Sequence, residues 1–180
     1  MEFLKDILLI DFETTDIDFV KAEPIAFGAV LLDRKTLEEK KSFQTLIAAD
    51  LSSQNPESAK IHGITQEKLT GAPDQATAIK QIIETFGTDV LLASWVQSLD
   101  HRMLEKMLIA ADLPMATYDF HYLDLWPAAY LYLVKKGTEV VSIHSQQMIE
   151  ALGIIRTGEF HDALNDCRIA AEALRKMMHG

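Results

Sequence analysis

Residues 7–15 read Ile7-Leu8-Leu9-Ile10-Asp11-Phe12-Glu13-Thr14-Thr15: four aliphatic side chains in a row, then two acids two positions apart. An unbroken apolar run fits a strand covered on both faces, because a strand with one wet face would alternate. Side chains two apart on a strand point the same way, so Asp11 and Glu13 lie side by side where this strand ends. Two carboxylates held together beside a buried strand repel each other unless a cation sits between them. A divalent metal ion is the economical partner, since hard cations prefer oxygen ligands. Taken alone, the pair favours a plainer reading, a finished strand whose acids face water.

Outward from this strand, Ile25 to Leu32 reads as a second strand and Asp33-Arg34-Lys35 as a turn. Leu37 to Ile47 follows as a third strand with Phe43, Thr45 and Ile47 on one side, so a β-meander opens the chain. The period then changes. Ile79, Ile82, Ile83 and Phe86 recur at helical spacing, with Asp74 as N-cap and Gly87 as the stop. Val90 to Trp95 is another apolar strand, and Leu99, Met103, Met107 and Ala110 mark a helix that ends before Pro114. Phe120 to Leu125 reads as a short strand running into a helix through Tyr130 and Leu133. Ser142 is expected to cap a helix through Leu152, closed by Gly153. A last helix runs from about Asp162 to Met178, with Ala163, Cys167, Ala170, Ala171 and Leu174 on one face. Connections are short except for residues 48 to 72, expected as a long, partly functional loop. Strands first, then strands alternating with helices, imply an α/β fold with a mixed sheet covered by helices.

Two further acids strengthen the metal reading. Asp166 lies one turn from both Ala163 and Ala170, which places it inward or along the edge of the last helix. Asp100 has Met103, Leu104 and Met107 at helical spacings, although a capping role near a helix start is the plain alternative. Acids on the inward side of helices need a partner. Asp89 is a poorer choice, because it precedes its strand instead of following it. His161 stands five positions before Asp166, in the loop ahead of the helix, with Gly158 upstream to allow movement. An unperturbed imidazole, at about 6.5, suits proton abstraction near neutrality.

Composition sets bounds on this. The 180 residues, 48% of them hydrophobic, fit one ordinary globular domain. The net charge of −10 points away from a protein that coats duplex DNA through a broad basic surface. It does not exclude nucleic acid as substrate, because divalent cations reverse the field of a carboxylate site. Cys167 is the only cysteine, so an internal disulfide and a cysteine zinc site are both ruled out, and a cytoplasmic address fits. The N-terminus does not read as a secretory signal. Apolar runs such as Val90 to Val96 are far shorter than the roughly 20 residues that span a bilayer, so no membrane partner is expected.

Asp11-Phe12-Glu13-Thr14-Thr15, the Asp-x-x-x-Leu of Asp100 to Leu104, and His161-Asp162-Ala163-Leu164-Asn165-Asp166 together resemble three motifs of one family. It is the DEDDh, or DnaQ-like, 3′–5′ exonucleases. Ile61-His62-Gly63-Ile64-Thr65 is similar to a stretch often found between the first two motifs, and the resemblance covers nearly the whole chain. It implies a ribonuclease H-like fold, a five-stranded mixed β-sheet flanked by α-helices, with residues 1–180 as a single exonuclease domain. It implies that Asp11, Glu13, Asp100 and Asp166 bind two Mg²⁺ or Mn²⁺ ions and that His161 activates the attacking water. Family members release nucleoside 5′-monophosphates from the free 3′ end of single-stranded nucleic acid. Phe12, Thr14, Thr15, His62 and Ile64 would then contact the terminal nucleotide.

One departure concerns the second motif. Many family members read His-Asn-x-x-Phe-Asp there, whereas this chain has Trp95-Val96-Gln97-Ser98-Leu99-Asp100, so substrate contacts at this turn differ. The pair Ser94-Trp95 is similar to the branch that processes RNA 3′ ends, which tilts the expectation toward RNA. Two alternatives stand beside the exonuclease: a non-catalytic nucleic-acid or protein-binding module on the same fold, and a ribonuclease H-like endonuclease. The pairing of His161 with Asp166 favours the exonuclease.

Overall fold

The computed structural model describes residues 2–155 and 162–179. His161 and Gly158 lie outside the described residues, and so does the loop position expected for that histidine.

Strand β1 (Ile7–Thr14) is central, antiparallel to β2 (Pro24–Leu32) on one side and parallel to β4 (Leu91–Ser94) on the other. Beyond these, β3 (Glu39–Leu46) pairs antiparallel with β2, and β5 (Leu123–Asp124) pairs parallel with β4. The order β3-β2-β1-β4-β5 is the expected five-stranded mixed sheet. Among the described residues six α-helices follow or separate the strands: α1 (Pro56–His62), α2 (Gln75–Phe86), α3 (Gln97–Ala110), α4 (Leu125–Lys136), α5 (Ser145–Ala151) and α6 (Ala163–His179).

Helices cover both faces of the sheet, which explains the unbroken apolar run of β1. Leu8, Ile10 and Phe12 pack with residues of α2 and α3, while Ile7 and Leu9 pack with Cys167, Ala170, Ala171 and Leu174 of α6. Each fully buried aliphatic side chain contributes about 1.5–3 kcal/mol. By alternation Asp11 and Glu13 continue the α6 face of the strand. Asp74 caps α2 by accepting from the Thr77 amide at 2.7 Å, and Gly87 ends it, as its sequence predicts. Among the described residues no helix is long and apolar enough to cross a membrane.

Several expected boundaries move. The segment 48–72 contains α1, with Asn55 accepting from the Glu57 amide, proline at the first helical position and Gly63 left-handed at the end. The third strand starts at Glu39 because Leu37 is buried with a φ of 59°, closing the turn instead of entering the sheet. The strand expected over Phe120 to Leu125 shrinks to Leu123 and Asp124, with Phe120 exposed ahead of it. Ser142 does not cap α5: the helix begins at Ser145 with His144 at its N-cap, and the Ser142 hydroxyl accepts from the His144 amide.

Candidate active site

The acids of β1 meet the last helix. One carboxylate oxygen from each of Asp11, Glu13 and Asp166 falls within 4.8 Å of the other two. Glu13 is buried, and Asp11 and Asp166 are half-buried. The small side chains of Ala163, Cys167, Ala170 and Ala171 let α6 lie close on β1 and β2, which carries Asp166 to the strand end. The Cys167 thiol points under the cluster, donating to the Gly28 carbonyl at 3.2 Å and the Leu9 carbonyl at 3.6 Å. Burial and the negative field of Asp11, Asp100 and Asp166 push that thiol well above its ordinary value, so it stays protonated.

Asp100 arrives from the other face of the sheet, on the first turn of α3, and is 2% exposed. It does not cap its helix. Burial pushes its carboxyl up to about 7 against the pull of the Ser94 hydroxyl and the Phe12 and Val96 amides, and the nearby Asp124 carboxylate raises it further. Its Oδ2 finds no hydrogen-bond partner among the described residues. Asp100 is not one of the three carboxylates that meet within 4.8 Å, but it accepts from the Phe12 amide between Asp11 and Glu13. Its buried orphan oxygen fits a cation-binding function, since an unpaired buried charge is costly. The donor set is oxygen throughout, which suits Mg²⁺ or Mn²⁺.

The expected nucleotide contacts divide. Thr14 and Thr15 sit at the strand end, but both hydroxyls serve the loop: Thr14 Oγ1 donates to the Asp16 carbonyl, and Thr15 Oγ1 accepts from the Glu23 amide. The ring of Phe12 is buried against Phe27, with centroids 4.9 Å apart. Ile64 is likewise packed, with Ile25, Ala26, Leu51 and Leu69. His62 closes α1, its Nδ1 accepting from the Ile64 amide at 3.0 Å. Asp89 is exposed and paired with Lys5 at 2.9 Å, away from the cluster.

Two features went unnoticed in the sequence. Asp124 ends β5 in register with Ser94, its carboxyl raised by burial and its Oδ1 without a partner among the described residues. The signal was an acid directly between Leu123 and an apolar helix. Ile17, Phe19 and Val20 are exposed on the loop after Asp16, where three large apolar residues in a connection are unusual.

A five-stranded mixed sheet of this order, flanked by helices on both faces, is the ribonuclease H-like fold. Among chains of this fold, this one belongs to the RNase_T exonuclease family, whose model matches residues 8–174, and it is a hydrolytic exonuclease. The nuclease domain of 3′hExo, a DEDDh family member bound to rAMP, superposes with a TM-score of 0.79 at 21% identity, over 99% of this chain and 94% of that one. Cell-death related nuclease 4 (CRN-4) gives 0.79 at 19% identity, over 97% of this chain and 64% of that one. Zinc-bound exonuclease I of E. coli with single-stranded DNA gives 0.80 at 18% identity, over 97% of this chain and 40% of that one. Identities this low bear on the fold alone. No curated protein sequence matches this chain.

Proposed function

We propose that this protein removes nucleotides one at a time from the 3′ end of single-stranded nucleic acid, releasing nucleoside 5′-monophosphates, with residues 1–180 acting as one exonuclease domain. The observation that carries this reading is the convergence of Asp11, Glu13 and Asp166 within 4.8 Å at the end of the central strand. With Asp100 they make four carboxylates, enough to balance two Mg²⁺ or Mn²⁺ ions before a phosphate arrives. When bound, such ions offset charge on the phosphodiester and favour ionisation of water. The chain's own side chains do the rest. Asp11, Glu13 and Asp166 orient the site from the α6 face, and Asp100 closes it from the α3 face. His161 takes the proton of the attacking water on a ring nitrogen. Phe12, Thr14 and Thr15 at the strand end, and the loop of His62 and Ile64, lie along the terminal nucleotide.

The test is a labelled oligonucleotide incubated with Mg²⁺ or Mn²⁺, with and without chelator, as matched single-stranded DNA and RNA. A chelator-sensitive ladder, slowed by a blocked 3′ hydroxyl and indifferent to a blocked 5′ end, is the expected result. Internal fragments would mean an endonuclease, and a retarded but intact band a binding module.

A further inference from the structure

We infer that Gly28 is a positioning residue, the seat that sets how far Asp166 stands from Asp11. Gly28 faces Asp11 directly across the antiparallel β1–β2 pairing. Residues opposed in this way project to the same face, so the missing Cβ of Gly28 and the carboxylate of Asp11 share the side covered by α6. The helix occupies that missing volume. A Cβ on Gly28 would lie 2.3 Å from the Ala163 carbonyl carbon, 2.3 Å from the Leu164 amide nitrogen and 2.6 Å from the Ala163 oxygen. All three are backbone atoms, which cannot swing aside as a side-chain tip would. Ala163 is the first residue of α6, and Asp166 follows within the same turn. Cys167 fastens that turn to the same point through its 3.2 Å contact with the Gly28 carbonyl.

The magnitudes decide the consequence. Carbon atoms rest about 3.5–4.0 Å apart, so a methyl group at Gly28 displaces the helix start by roughly 1 Å. Sites for small divalent ions tolerate ligand distances to within about 0.2 Å, so a shift of this size separates Asp166 from Asp11 and Glu13. The glycine therefore acts through Asp166, where the start of α6 lies backbone against backbone on β2.

The inference rests on the acids binding a divalent cation, so Mn²⁺ binding to wild-type protein is measured first by calorimetry. Absence of binding there would fail the functional reading itself. Given wild-type binding, Gly28→Ala is expected to weaken Mn²⁺ by about 10–100-fold, the usual range for residues that orient ligands. Leu174→Ala, further along the same packed face of α6, is the comparison: it lowers thermal stability and leaves Mn²⁺ affinity within about twofold. If Gly28→Ala does not fold, the same titration is made on Gly28→Ala/Ala163→Gly, whose helix start is free to unwind from the new methyl. A folded variant of either kind with wild-type Mn²⁺ affinity overturns the inference. Failure of both to fold also overturns it, reducing Gly28 to a folding requirement.

Discussion

Lys106 on α3 grips the start of β2, its Nζ 2.7 Å from Glu23 Oε1 and also donating to the Ala22 carbonyl. Glu23 in turn accepts from the Gln75 side chain at 2.8 Å, and its backbone closes on Thr15 through two 3.0 Å hydrogen bonds. The helix that carries Asp100 is thereby tied to the strand that carries Asp11 and Glu13, by way of the loop between β1 and β2. Lys106 is mostly buried while Glu23 is nearly half exposed, so solvent weakens the ion pair and the carbonyl contacts matter more. Lys106→Met keeps the aliphatic stem and removes the donor. It should cost about 1–3 kcal/mol in urea denaturation and raise KM more than it lowers kcat. Unchanged stability would show that the tie carries nothing.

Metal should stabilise the folded protein, because a ligand that binds only the native state shifts the equilibrium by mass action. Mg²⁺ or Mn²⁺ at a hundred times its Kd adds about 2.7 kcal/mol, visible as a rise in Tm. Asp11→Asn and Asp166→Asn should each lose that rise and all turnover while keeping the fold. Without metal, both should melt above wild type, since a carboxylate has been taken out of a repelling cluster. A wild-type Tm indifferent to saturating metal would sink the carboxylate site.

Much of this was legible because it depends on short-range chemistry. The run Ile7 to Ile10 announces a strand covered twice, Asp74 and Gly87 bracket α2, and the spacing of Ala163, Cys167, Ala170 and Leu174 fixes the buried face of α6. Helix α1 escaped notice because seven residues show no periodic face, although Asn55-Pro56 and Gly63 carry its start and stop signals. Phe12 and Ile64 are of another kind. Both are apolar residues within motifs, and only the packing of Phe27 on one and Leu51 on the other shows that they face the core. Gly28 is the extreme case: in sequence it is a weak strand residue, and its reason is the backbone of Ala163, which only the folded chain brings to it.

Removing the histidine separates proton transfer from binding. His161→Ala should lower kcat by about 10²–10⁴-fold, the usual contribution of a positioned general base. Mn²⁺ affinity by calorimetry and oligonucleotide affinity by anisotropy should stay at wild-type values, because the residue binds neither in this scheme. A variant that turns over at the wild-type rate would make His161 a bystander and weaken the assignment of this chain's chemistry to the DEDDh pattern.

Asp100 makes the metal-free protein sensitive to pH in a direction that can be worked out. Its carboxyl titrates at about 7 in the folded protein, held up chiefly by burial, against about 3.9 for an ordinary aspartate. Between those values the folded chain binds more protons at this site than the unfolded chain. Stability changes with pH in proportion to protons bound unfolded minus folded, which is negative here, so this contribution falls as pH rises from about 4 to about 7. It is flat on either side of that window. Asp100→Asn cannot ionise, so subtracting its unfolding free energy from that of wild type, at each pH and without metal, isolates the effect. The difference should decline through the window and then level off. With metal the sign turns, because a cation needs the charged carboxylate and displaces its proton. The gain in Tm on adding Mn²⁺ should therefore grow from pH 5.5 to about pH 7, and Asp100→Asn should lose that growth. A wild-type minus variant difference that stays level from pH 4 to pH 8 would mean that Asp100 is not the buried, proton-holding acid of this site.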